Sequence, residues 1–127
     1  MILNEKIALI QKLNTEKFLS AETFCEVLEK CDALKRNYIE YMTTAPIDCD
    51  KELLRLPTAD YDLCCALITM LLREDHFCNG SFARRQRMGQ VKPIVEQIIH
   101  LLESQNSPTI ASFSEKALDS LNGFYVY

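Results

Sequence analysis

The sequence predicts an all-α fold: a compact single-domain helical bundle of five or six helices over 1–127, around a buried central helix at about 59–77. Three observations predict it. Between Asp60 and Gly80, every position from Leu63 to Leu72 is apolar except Thr69. A helix apolar on all sides has no face for water and must be sheathed by its neighbours; this one is also too short to cross a bilayer. Only 3 glycines and 4 prolines in 127 residues leave few turn signals, which favours several helices over many short strands. Outside the central run, apolar residues recur every three or four positions, the spacing of one helix face.

The first helix is expected from about Glu5 to Leu13, capped by Asn4, with Leu3, Ile7 and Ile10 as its stripe. A connector, Asn14 to Leu19, offers Phe18 as a packing anchor. Ser20 caps a second helix predicted to run from Ala21 to Met42 along Phe24, Leu28, Cys31, Leu34 and Tyr38. Its pairs Glu26–Lys30 and Asp32–Arg36 have the acid first at i,i+4, suited to an exposed face. Pro46 ends it. Asp48 and Asp50 then offer caps for a short turn carrying Leu53, Leu54 and Leu56, and Pro57 stops that turn.

Thr58 is the predicted cap of the central helix, with Asp60 and Asp62 in its first turn, where the helix dipole favours carboxylates. Gly80 is placed to end it with a positive φ. A short helix follows from Ser81 to Met88, closed by Gly89. The next helix, about Lys92 to Glu103, has Pro93 in its first turn and a broad apolar face of Ile94, Val95, Ile98, Ile99, Leu101 and Leu102. After a polar linker, Ser104 to Thr109, the capping box Ser112-x-x-Glu115 opens a last helix through Leu121, ended by Asn122-Gly123. The aromatic Phe124-Tyr125-Val126-Tyr127 is expected to pack on the protein's own core or mark a contact with a partner.

Composition narrows the function classes. Residues are 48% hydrophobic and 25% charged, as in an ordinary globular domain, and the net charge of −4 gives no general attraction to nucleic acid or anionic lipid. No transmembrane segment and no signal peptide is expected, since Asn4 and Glu5 stand where a basic region would be. A cytoplasmic location follows as the expectation. The 6 cysteines include no Cys-x-x-Cys, and the adjacent Cys64 and Cys65 point to different helix faces. All are expected to stay reduced, with Cys25, Cys31, Cys64 and Cys65, which fall within helical patterns, acting as small apolar fillers.

Two groups of residues could carry function. Arg73-Glu74-Asp75-His76 sets a guanidinium, two carboxylates and an imidazole within one helical turn, material for acid–base work. On a helix only Arg73 with His76, or Arg73 with Phe77, share a face, so the run reads first as a charged helix end with Arg73 pairing Asp75 or another acid. His76-x-Cys78 supplies two metal ligands where a site needs more, and His100 lies on the polar side of its own helix. No metal and no cofactor is therefore expected, nor is a nucleophile elbow or phosphate loop present. The second group is a basic block. No acid lies between His76 and Val95, while Arg84, Arg85, Arg87 and Lys92 offer four positive charges to an anion. The more ordinary account is a solvated face whose guanidinium groups pair with acids of the second helix. A helix-turn-helix fits poorly, because Pro93 falls where base-reading residues would begin.

The run Arg73, Asp75, His76, Phe77, Asn79 and Gly80, with the later Gly89, resembles a family of small prokaryotic proteins grouped as a domain of unknown function. Its signature is approximately Arg-x-[Glu/Asp]-[Arg/His]-Phe-x-[Asp/Asn]-Gly. The resemblance spans about Tyr61 to Leu102 and implies no activity, ligand or catalytic residue. It singles out Arg73, Asp75, His76 and Phe77 for testing; His76 stands where Arg is common, which weighs against imidazole chemistry.

The leading functional expectation is a non-enzymatic cytosolic helical domain acting by protein–protein contact, with a second copy of itself among the candidate partners. The alternatives are nucleic-acid binding through 84–92 and a small metal-dependent hydrolase using Asp75 and His76.

Overall fold

The protein, seen in a computed structural model that describes residues 1–105, is all-helical, with no strand among the described residues. The expected helix after Ser112 and the Phe124–Tyr127 tail lie outside the described residues. Among the described residues six α-helices follow in order: α1 Leu3–Gln11, α2 Ala21–Lys30, α3 Cys49–Leu53, α4 Tyr61–Phe77, α5 Ser81–Arg87 and α6 Lys92–Gln105. Two 3₁₀ turns, Tyr38–Tyr41 and Leu56–Thr58, sit between α2 and α4. No helix among the described residues is long and apolar enough to cross a membrane.

The central helix α4 is sheathed as its composition requires. Every residue from Cys64 to Leu72 is buried, covered by α2, α3, α5, α6 and the first 3₁₀ turn, with α1 lying across α2 and α6. Its one polar residue in that run is used. The Thr69 hydroxyl donates to the Cys65 carbonyl at 2.7 Å and accepts from the Lys35 backbone N–H at 3.0 Å, which pins the loop after α2 to the core. Lys35 Nζ also meets Asp62 at 3.0 Å. At the α2–α5 contact the Phe24 and Phe82 rings meet edge-to-face, centroids 4.8 Å apart.

Three helix boundaries differ from expectation, each for a local reason. The first helix begins at Leu3, which packs on the core, with Ile2 rather than Asn4 at the N-cap. The central helix is capped by Asp60, whose carboxylate accepts from Leu63 N–H at 2.9 Å, while Thr58 is taken up in a 3₁₀ turn.

The largest difference is at α2, which ends at Lys30 instead of continuing to Met42. Asp32 adopts φ 58°, Ala33 N–H reaches the Leu28 carbonyl at 2.8 Å, and Asp32 N–H reaches Glu29 at 3.1 Å. This is a Schellman stop, with buried Leu28 and Ala33 supplying its apolar contact. The i,i+4 pair of Asp32 and Arg36 therefore does not form on a helix; Arg36 pairs with Glu29. The same motif ends α5, where Gly89 has φ 73° and Gln90 N–H meets the Arg85 carbonyl at 2.9 Å.

Candidate functional site

The charged end of α4 separates into residues with different tasks. Asp75 turns toward the next helix: one carboxylate oxygen accepts from the Gly80 and Phe82 backbone N–H groups at 3.1 and 3.0 Å. It caps the entry to α5, where Gly80 supplies the left-handed turn at φ 95°. Arg73 does not pair with it. That arginine is exposed and makes no ion pair among the described residues. His76 is exposed too, its ring edge-to-face with Phe77 at 5.2 Å. Phe77 is left 77% exposed.

Glu74, the one member of the run left out of the candidate cluster, is the acid that pairs. Its carboxylate takes Arg85 Nε at 3.0 Å and a second guanidinium nitrogen at 2.8 Å. The remaining Arg85 nitrogen reaches Asp50 of α3 and Gln90 Oε1, the latter at 3.0 Å. Arg85 is 4% exposed, and its fork is filled by α3, α4 and the end of α5. Its hydrogen bonds hold the carboxyls of both Glu74 and Asp50 below the usual carboxylate range.

The basic block is thereby divided. Arg85 belongs to the interior, paired with acids of α3 and α4 rather than of α2. Arg84 and Arg87 stay exposed, with Arg84 touching the Met88 sulfur, and Lys92 meets Glu16 at 3.2 Å.

A second buried carboxylate, unmarked by any motif, lies in α3. Glu52 is fully buried and accepts from the Thr43 and Thr44 backbone N–H groups at 2.8 and 2.7 Å, from both threonine hydroxyls, and from Arg55 at 2.8 Å. Burial alone would raise its pKa, but these donors more than offset that and bring it down to about 2. Arg55 also donates to the Tyr41 carbonyl, so one acid organises the whole segment 41–55.

Beside the α4 tip the chain leaves a hollow of about 630 Å³ between the last turns of α4 and the segment 46–50. Buried Met70 and half-buried Tyr38 and Ile47 make its apolar interior; Arg73, Phe77, Cys78 and Asp50 stand around it, with the Glu74–Arg85 pair at one side. It thus joins Arg73 and Phe77 of the candidate cluster, while Asp75 and His76 do not line it. A depression of similar volume along α6 includes His100, but there the Gln97 amide is spent on the Leu56 and Ala59 carbonyls.

All six cysteines are free. Burial pushes the thiols of Cys49 and Cys64 up to about 11 and that of Cys65 up to about 12. Among the described residues no three His, Cys, Asp or Glu side chains are grouped to hold a metal ion.

A family of unknown function, DUF6508, matches residues 9–104, a stretch that takes in α2 and α3 as well as the end of α4 around Arg73. No curated protein and no solved structure matches the chain.

Proposed function

We propose, for a chain that belongs to the DUF6508 family, a non-enzymatic role in which it binds a protein partner at the hollow beside the tip of α4. One observation carries this reading: Phe77 projects into solvent over an apolar hollow, next to an arginine with no acid partner among the described residues. Aromatic residues and arginine are the side chains most often responsible for interface affinity, and covering exposed apolar area is favourable by about 25 cal/mol per Å². A cytosolic setting fits the six unpaired thiols.

The two other readings have less behind them. For a hydrolase, Asp75 has an oxygen committed to two backbone N–H groups and makes no hydrogen bond to His76. For nucleic acid, Arg85 is internal, leaving Arg84 and Arg87 with Lys92 as the accessible cations. Charge reversal at Arg84 and Arg87, scored by gel shift at low salt, is the fair trial of that reading.

Panning the whole chain against a phage-displayed random peptide library tests the binding role. Peptides combining an apolar anchor with an acidic residue should emerge, and Arg73→Glu or Phe77→Ser should abolish their capture. Selected peptides that bind those variants as well as the wild type would refute the assignment to this hollow.

A further inference from the structure

Resting on that reading, we infer that the partner at the α4 tip is a second copy of this chain, joined to it about a two-fold axis. The surface contains what self-pairing needs. Phe77 is a knob standing beside the hollow floored by Met70 and Ile47, so knob and hole lie on one face. The charges are also complementary. Arg73 contributes a positive charge with no counterpart among the described residues. Across the hollow, two carboxylates share the single guanidinium of Arg85. Glu74 takes two of its nitrogens, which leaves a surplus negative charge at Asp50, whose side chain is 73% exposed.

Within one chain Arg73 and Asp50 form no ion pair. A two-fold axis between the Phe77 knob and the hollow sets each Phe77 over the other copy's hollow and each Arg73 toward the other copy's Asp50. Such an interface is self-complementary, residue i meeting j and j meeting i. Its apolar centre supplies affinity, and its charged rim fixes register and makes association salt-sensitive.

Sedimentation equilibrium of the whole chain over a wide concentration range reads this directly. The mass should rise from 14.6 kDa toward twice that value, and added salt should oppose the rise. Arg73→Glu and Asp50→Lys should each weaken dimerisation about tenfold or more by opposing like charges across the axis. Mixed together, the two variants should recover it as a heterodimer. There the carboxylate introduced in one chain faces the ammonium introduced in the other, and the remaining Arg73–Asp50 pair is native. Arg73→Glu and Phe77→Ser, both at exposed positions, keep the test valid if Asp50→Lys fails to fold. A wild type that stays at 14.6 kDa throughout overturns the inference, as does a dimer indifferent to both of those changes. A monomer that still selects peptides through Arg73 and Phe77 would remove the second copy and leave the binding role standing.

Discussion

Glu52 and Arg85 show how single charged side chains tie down segments that Met42, Ile47, Leu53 and Phe82 already pack on the core. Glu52 gathers the threonine pair before α3 and the arginine after it, so its loss leaves several buried donors unanswered. Glu52→Gln is expected to cost about 3 kcal/mol. The effect depends on pH in a defined direction. The folded pKa, about 2, lies below the ordinary 4.5, so the unfolded chain takes up the proton first as pH falls. Stabilisation of about 3 kcal/mol is complete well above pH 4.5 and is lost progressively as pH falls toward 2. Urea melts of the two proteins should converge across that window; a gap independent of pH would contradict the charged-network account. Arg85→Ala should cost about 3 kcal/mol or more by stranding Glu74, and Arg85→Lys should recover less than half, since an ammonium cannot fill a three-way fork. Thermal unfolding of the pair settles that ranking.

At the scale of the element, the stop of α2 is set by conformation. Asp32 occupies the left-handed position where glycine is usual, and an ordinary residue there carries a penalty of about 1–2 kcal/mol. Asp32 is exposed, so Asp32→Gly is expected to stabilise by about 0.5–1 kcal/mol after the greater freedom of the unfolded glycine chain is counted. A lower urea midpoint would show that the Asp32 side chain matters in its own right. This stop also marks where the sequence is least legible. Leu34 and Tyr38 stay in step with Phe24, Leu28 and Cys31, so the spacing reads as one long helix, and no glycine or proline announces the break. Where burial alone decides, as in the unbroken apolar run of α4 or the stripe of α6, the elements are plain from the residues. Caps are less so: Thr58 and Asp60 are both competent, and geometry chooses the second.

For the whole molecule, the hollow is illegible in the sequence because segments around residues 38, 46–50 and 70–78 meet there only after folding. Spacing groups Arg73 with Phe77, which does line it. It cannot reveal that Asp75 looks to α5, that Glu74 holds Arg85, or that Asp50 forms the opposite rim. The division of the basic block has the same origin: period alone puts Arg84, Arg85 and Arg87 around a short helix, and the acid across the bundle decides which one is internal. The thiols are sorted by the same packing. Cys31, Cys64 and Cys65 are shut inside, Cys25 and Cys49 are partly covered, and Cys78 is exposed one residue past Phe77. Thiolate character and access together govern alkylation. A maleimide dye at neutral pH should therefore attach to Cys78 well ahead of the other five, with peptide mass spectrometry as the check; comparable labelling at Cys49 or Cys64 would contradict the packing described. The native chain thus carries its own handle for a fluorescent reporter, positioned to sense whatever settles at the α4 tip without any engineered change.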